Sequence, residues 1–167
     1  MKNLWAPWRV SYILGPKADK CVFCLNAEDA DSARTQDDRE RLVLYRGRRC
    51  FVIMNKYPYC NGHLMVAPFA HVSCITGLDA ETSAELMELT QRCTDILRRH
   101  FKAQGVNIGI NLGEAAGAGV REHLHCHLVP RWNGDSNFMA VMADLRTIPQ
   151  HIDETYLALL PYFINPT

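Results

Sequence analysis

The alternation of apolar and polar residues predicts several short strands. Two β-rich segments, residues 42–46 and 49–55, are separated by a Gly-Arg pair, which predicts a β-hairpin. Further strands are predicted over residues 63–68, 106–112 and 123–130, the first and last of them ended by a proline. Strands that follow one another through short turns favour antiparallel pairing.

One long helix is predicted over residues 80–102, with Asp79 as its N-cap and Gly105 as its stop. A short terminal helix is predicted over residues 154–160. Hairpin strands around one long helix predict an α+β fold with a mainly antiparallel sheet. The apolar residues that recur at helical spacing in the long helix are Leu86, Leu89, Cys93, Ile96 and Leu97.

Composition describes an ordinary globular chain. Its 167 residues suffice for a single domain, with 1–41 as an N-terminal segment that includes a polar loop (26–41), 42–130 as the core and 131–167 as an extension. Basic and acidic residues are equal in number, 18 each, which argues against a nucleic-acid binder. With no apolar segment near the ~20 residues of a membrane span and no signal-peptide core, we expect a cytoplasmic protein without a membrane partner.

The cysteine pattern points to metal binding or free thiols rather than disulfides. There are seven cysteines, an odd number, in a chain without an export signal. Cys21 and Cys24 are separated by two residues, a spacing at which two thiolates can hold one tetrahedral metal. A redox pair or a merely buried pair is the alternative, although a thioredoxin-type motif would need a βαβ context that the sequence lacks.

Three histidines, His123, His125 and His127, alternate with apolar residues, so a strand places their side chains on one face. A neutral imidazole is a good nucleophile near pH 7, and a second one can transfer protons. Attack on phosphorus would give a phosphohistidine-type intermediate, whose charge Asn111 and the amides of a small-residue loop at 113–120 could meet. The alternatives are chance histidines on a surface strand or a bare metal patch.

The run His-Leu-His-Cys-His-Leu-Val resembles the signature of the histidine triad (HIT) superfamily. Residues 55–71 and 111–117 are similar to the blocks that precede it, so the resemblance covers about residues 42–130. The flanks 4–9 (LWAPWR) and 130–139 (PRWNGDSNFM) resemble the bacterial diadenosine tetraphosphate phosphorylase-like branch. The resemblance implies a HIT-like fold.

Roles for individual residues follow from the same resemblance. It implies that His125 attacks the α-phosphate to form a nucleotidyl-histidine, and that His127 and His63 bind phosphate and orient the site. It also implies that Asn55 meets ribose hydroxyls and that Asn111 contacts the phosphate or the leaving group.

The nucleotide pocket departs from the family in one place. Many relatives have a loop hydroxyl at the phosphate, where this chain has Gly117, Ala118 and Gly119. Either backbone amides replace the hydroxyl or the leaving-group chemistry differs. Phe51 and Ile53, in the strand before the first block, are expected against the base, with core packing as the alternative.

The resemblance also implies a structural zinc and a homodimer. In zinc-bearing relatives the positions that match Cys21, Cys24, His71 and His123 hold the metal. Relatives are generally homodimers, and the long helix and the strand at 106–112 are the elements expected at the interface.

The implied activity is cleavage of dinucleoside polyphosphates such as diadenosine tetraphosphate. Phosphorolysis to ADP and ATP is the specific expectation. Hydrolysis and adenosine phosphoramidate cleavage are rivals, and a nucleotide-binding regulatory module is the non-enzyme alternative.

Overall fold

Part of the chain is described by a computed structural model: residues 21–25, 36–135, 148 and 150–164. The flanking motif at residues 4–9 and the second half of the other, 136–139, lie outside the described residues. The same is true of residues 26–35 in the predicted polar loop. No helix of the described ranges is long and apolar enough to cross a membrane.

Five strands form one antiparallel sheet. In chain order they are β1 (Val43–Arg46), β2 (Cys50–Met54), β3 (Leu64–Pro68), β4 (Gly105–Ile110) and β5 (Cys126–Arg131). Their spatial order is β1-β2-β3-β5-β4, so β1 and β4 are the edge strands among the described residues. The predicted hairpin and the predicted α+β fold with an antiparallel sheet are confirmed.

Within the described residues four α-helices accompany the sheet: α1 (Gln36–Arg41), α2 (Ala80–Arg99), α3 (Ile152–Leu159) and α4 (Pro161–Ile164). The long helix α2 begins as predicted, because the carboxylate of Asp79 accepts a hydrogen bond from the amide of Thr82 at 2.7 Å. The short terminal helix is also confirmed as α3, which is followed directly by α4.

The end of α2 differs from the prediction. Lys102 adopts a left-handed conformation with φ 55°, and the amide of Ala103 donates to the carbonyl of Leu97 at 3.1 Å. The chain therefore turns away from the helix at Lys102, in a left-handed conformation that glycine usually adopts. Gly105, the predicted stop, is instead the first residue of β4.

The predicted polar loop 26–41 is wrong over its last six residues, which form α1. Asp38 of this helix makes an ion pair with Arg46 of β1 at 2.7 Å, and both side chains are almost fully buried. This six-residue helix has no apolar face, so the sequence shows no helical period that could predict it. Its ion pair with β1 stabilises it instead.

Apolar residues pack on both faces of the sheet. The larger core lies between one face and α2, with α3 and α4 at its side. The opposite face has a second cluster, here called the site-face cluster: Phe23, Leu25, Val43, Phe51, Ile53, Met65 and Ala67. His127 pairs with Met65 across β5 and β3, so its side chain lies on this second face.

Candidate active site

The histidine run keeps its strand-like alternation although it is only partly in a strand. The predicted strand over residues 123–130 starts too early, because β5 begins only after His125. Here the amide of Leu124 donates to the carbonyl of Val72, in the loop after β3, at 2.6 Å. His123 still lies on the same face as the other two histidines. The side chains that alternate with the three histidines pack in the larger core: Leu124, Cys126 and Leu128.

His125 has one ring nitrogen fixed by the backbone. Its Nδ1 lies 2.8 Å from the carbonyl oxygen of His123. A carbonyl can only accept, so Nδ1 carries the proton and Nε2 keeps its lone pair. His125 therefore presents the nitrogen that a nucleophilic imidazole needs.

A chain of hydrogen bonds sets the tautomer of His127. The amide of Tyr59 (3.2 Å) and the Nδ2 of Asn55 (3.3 Å) both donate to Nδ1 of His63. The side-chain oxygen of Asn55 accepts from the amide of Tyr57, which fixes the direction of the Asn55 amide. His63 therefore donates from Nε2 to Nδ1 of His127 at 3.0 Å, and His127 holds its own proton on Nε2.

These histidines are neutral at pH 7. Burial, with smaller contributions from the neighbouring His127 and His125, lowers the pKa of His63 to about 3. Burial, with a contribution from His125, lowers the pKa of His127 to about 4, and burial also lowers the pKa of His125. A neutral nucleophile thus lies beside a neutral hydrogen-bond donor, with the two rings edge to face at 4.7 Å.

The predicted metal ligands come together. The ligand atoms of Cys21, Cys24, His71 and His123 all lie within 4.8 Å of one another. Cys24 Sγ is 3.1 Å from Nδ1 of His71, and Cys21 Sγ is 3.5 Å from Nδ1 of His123. His123 donates from Nε2 to the carbonyl of Pro68 at 2.8 Å, which leaves the Nδ1 lone pair facing the thiols.

This donor set fits zinc. Tetrahedral ligands at the usual zinc distances lie roughly 3.3–3.8 Å from one another, close to the separations of these sulfur and nitrogen atoms. Two thiols and two imidazoles are a common structural zinc set, and four protein ligands leave no open position for substrate. The arrangement therefore suits a structural metal rather than a catalytic one.

Residues 36–134 match the HIT domain family. The sequence is also 38% identical over 157 residues to the AP-4-A phosphorylase of Mycobacterium tuberculosis, and this match covers 93% of this chain and 80% of that protein. The chain belongs to the HIT family. The solved structure of a Zn-bound histidine triad family protein from Mycobacterium smegmatis is 31% identical to this HIT protein. The match has a TM-score of 0.64 and covers 86% of this chain and 93% of that one. The bis(5'-adenosyl)-triphosphatase of Dictyostelium discoideum is 30% identical over 56% of this chain and 62% of that protein.

In this HIT chain two backbone amides of the small-residue loop donate hydrogen bonds within the loop itself. The amide of Gly117 donates to the carbonyl of Glu114 at 2.9 Å, and that of Ala118 donates to Gly113 at 3.3 Å. The amide of Gly119 makes no such bond within the described residues. Among the three predicted phosphate donors, Gly119 is therefore the one with an amide available.

The two predicted asparagines lie in different settings. Asn111 is half-buried and follows the last β4–β5 pair, Ile110 with Cys126, so continuation of that register places it beside His125. Asn55 contacts His63, as described above, so it orients the histidine chain. Its contact with ribose hydroxyls stays a prediction.

The residues predicted to contact the base pack in the site-face cluster. Phe51 is fully buried and its ring lies 5.2 Å from that of Phe69. Ile53 is also buried. Packing accounts for both burials, and contact with the base stays a prediction.

Sequence reasoning missed two aromatic residues of the site. Phe23 stacks on His125 with ring centroids 4.6 Å apart, and Tyr59 packs against His63 at 4.7 Å. The position of Phe23 between the two cysteines is a signal, because a metal there would hold it near the triad. Tyr59 has no comparable signal, because it contacts His63 through its backbone amide, which no side-chain pattern reveals.

Proposed function

We propose that this protein cleaves dinucleoside polyphosphates through a covalent nucleotidyl-histidine on His125. The observation that carries the proposal is the pairing of tautomers: a lone pair on Nε2 of His125 beside a proton on Nε2 of His127. Nucleophilic displacement at phosphorus needs these two groups and no redox cofactor. The AP-4-A phosphorylase and triphosphatase relatives support this substrate class.

In the first step the Nε2 lone pair of His125 forms a bond to the α-phosphorus as the P–O bond to the leaving group breaks. The leaving oxygen keeps that electron pair as an oxyanion and accepts a hydrogen bond from the Nε2–H of His127, which stabilises its charge. The side chain of Asn111 and the amide of Gly119 stabilise the charge on the phosphoryl oxygens. From diadenosine tetraphosphate the products of this step are ATP and adenylyl-His125.

In the second step an acceptor breaks the N–P bond and restores His125. Inorganic phosphate as the acceptor yields ADP, and water yields AMP. Inorganic phosphate attacks through an ionised oxygen and therefore needs no base, and His127 keeps its proton on Nε2 throughout. Phosphorolysis is the proposed reaction, since the AP-4-A phosphorylase relative covers nearly the whole chain.

A product assay tests this function. We expect diadenosine tetraphosphate plus phosphate to give ADP and ATP, with little AMP and slow turnover when phosphate is omitted. AMP in place of ADP at an undiminished rate makes the protein a hydrolase. Tight binding without any product supports the nucleotide-binding regulatory module instead, and faster turnover of adenosine phosphoramidate supports that alternative substrate.

Zinc is the proposed metal, held by Cys21, Cys24, His71 and His123. When bound it neutralises the thiolates and cross-links the 21–25 segment to the strand that bears the triad. The chain's own residues carry out the phosphoryl chemistry. Support comes from the ligand spacing and from the Zn-bound relative.

The proposed assembly is a homodimer in which α2 and the strand region 106–112 meet their counterparts. The support is that β4 is a sheet edge with exposed apolar residues, Ile108 and Leu112. The proposed compartment is the reducing cytoplasm, because the chain keeps its cysteines as thiols and two of them are proposed metal ligands.

A further inference from the structure

A phenylalanine lies face to face with the proposed nucleophile. The rings of Phe23 and His125 are stacked, with centroids 4.6 Å apart and an interplanar angle of 25°. Phe23 is 3% exposed and belongs to the site-face cluster. The contact is long-range in sequence and is made from a five-residue described segment.

The turn between the two cysteines directs this ring inward. The amide of Cys24 donates to the carbonyl of Cys21 at 3.1 Å, which closes the turn. Within it Val22 faces outward at 55% exposed, and Phe23 faces the histidines. The segment that carries two metal ligands thus also covers one face of the nucleophile.

The charge on His125 changes during the proposed reaction. Before attack the ring is neutral, with its proton on Nδ1 donated to the carbonyl of His123. When Nε2 bonds to phosphorus, Nδ1 keeps its proton and the ring becomes an N-phosphoryl imidazolium with one positive charge. The leaving oxygen departs with the P–O electron pair and one negative charge, hydrogen-bonded to the Nε2–H of His127, so atoms and charge balance.

The face of a benzene ring attracts a cation. This attraction acts within about 6 Å of the ring centroid and is stronger where water is excluded. It is weak toward a neutral imidazole, so Phe23 stabilises the transition state and the intermediate more than the resting enzyme. Such an interaction raises the rate of the chemical step and leaves substrate binding unchanged.

We propose that Phe23 is a positioning residue that holds the ring plane of His125 and stabilises the positive charge which that ring gains in the nucleotidyl-histidine intermediate. This proposal rests on the proposed function, since it requires the covalent step. It gives the cysteine turn a part in the chemistry beyond metal binding.

The test is a fluorination series at residue 23. Progressive fluorination of the Phe23 ring withdraws electron density from its face with little change in shape. We expect the single-turnover rate of adenylyl-His125 formation to fall stepwise with fluorine content, to about tenfold below the original for the most fluorinated ring. The KM for diadenosine tetraphosphate, the zinc content and the melting temperature should stay within error.

Natural substitutions supply a second measurement. Phe23→Leu should slow adduct formation by about tenfold, and the exposed neighbour Val22→Ala should match the original protein. Zinc content is measured for every variant. If the Phe23→Leu protein loses zinc, the fluorinated proteins decide the outcome, because their rings keep the shape of the original side chain.

The outcomes separate two failures. Adduct formation that ignores the fluorine series, or a Phe23→Leu protein as fast as the original with zinc bound, overturns the role of Phe23 alone. An original protein that turns over substrate without ever forming an adduct on His125 overturns the proposed function, and this role with it.

Discussion

At the scale of single residues, the direction of each hydrogen bond assigns the roles of the histidines. His63 receives two donors on Nδ1, so its only proton points at His127. His125 donates from Nδ1 to a carbonyl and therefore attacks with Nε2. The same residue type becomes a nucleophile or a hydrogen-bond donor according to the hydrogen-bond partner of its Nδ1.

The role of His127 as a hydrogen-bond donor to the leaving oxygen predicts a dependence on the leaving group. His127→Ala should slow cleavage of diadenosine tetraphosphate roughly 100- to 1,000-fold, because the charge on its leaving oxygen loses a donor. The p-nitrophenyl ester of AMP, whose leaving group spreads its charge into the nitro group, should lose less than about tenfold. Rates of both substrates are compared, with the exposed His151→Gln as the control. An equal loss for both substrates would assign His127 to phosphate binding instead.

Buried neutral histidines predict a loss of stability in acid. The pKa of His63 is about 3 in the folded chain, against 6.5 for an exposed imidazole. The unfolded chain therefore binds more protons, so this stability is complete above about pH 6.5 and is lost as the pH falls toward the folded pKa. His63 alone predicts a loss of about 2 kcal/mol in the free energy of unfolding between pH 7.5 and pH 5.

Urea unfolding at the two pH values measures this loss. His63→Gln should reduce the acid-induced loss by about 2 kcal/mol, and His151→Gln should leave it unchanged. An identical pH dependence in the original and in the His63→Gln protein would show that His63 is not held neutral by the fold.

The residue-scale pattern was only partly predictable. The shared face of the three histidines follows from a two-residue period, which is local information. The stacking of Phe23 on His125 joins residues about a hundred positions apart, and the amide of Tyr59 is invisible in a side-chain pattern. Tautomers likewise depend on partners that only the folded chain brings close.

At the scale of elements, the cysteine turn and the strand region of the triad act as one unit. His123 bonds to Pro68 at the end of β3 with one nitrogen and faces the thiols with the other. A metal there fixes the segment that covers His125. Loss of the metal should therefore affect folding and chemistry together.

Zinc removal tests this coupling. Chelation, or Cys24→Ser, should lower stability by about 3 kcal/mol, roughly 10 °C in melting temperature for a chain of this size, and should slow adduct formation. Cys74→Ser, which alters a half-buried cysteine outside the cluster, is the control. Freshly purified protein without zinc but with full activity would contradict the proposed metal.

Element boundaries show where local patterns stop being informative. The start of α2 was predictable because Asp79 caps it with its own side chain. Its end was not, because Lys102 takes a left-handed conformation usually left to glycine. The start of β5 depends on pairing partners: Leu124 bonds to a loop carbonyl rather than to a neighbouring strand.

At the scale of the whole molecule, helices pack on one face of the sheet and the histidines of the candidate site lie on the other. The sheet ends at β4, whose edge carries Ile108 at 50% exposed. An open edge with exposed apolar side chains is a surface for another chain.

The proposed dimer predicts that a charge on this edge separates the protomers. Ile108→Lys should shift the mass measured by light scattering from dimer to monomer, because it places a charge in the interface. Leu157→Lys, an exposed leucine on α3, should stay dimeric. A monomeric original protein, or a dimeric Ile108→Lys protein, would contradict the proposed interface.

The central claim is the covalent intermediate on His125, and trapping it by alkaline denaturation measures it most directly, because the P–N bond of a nucleotidyl-histidine survives base and hydrolyses in acid. The protein is mixed with substrate labelled on the α-phosphate, denatured within one turnover, and mapped by mass spectrometry. The account predicts one adenylyl group per site, on His125, absent from His125→Ala and retained in His151→Gln. A label on another residue, or product formation by His125→Ala at the original rate, would contradict it.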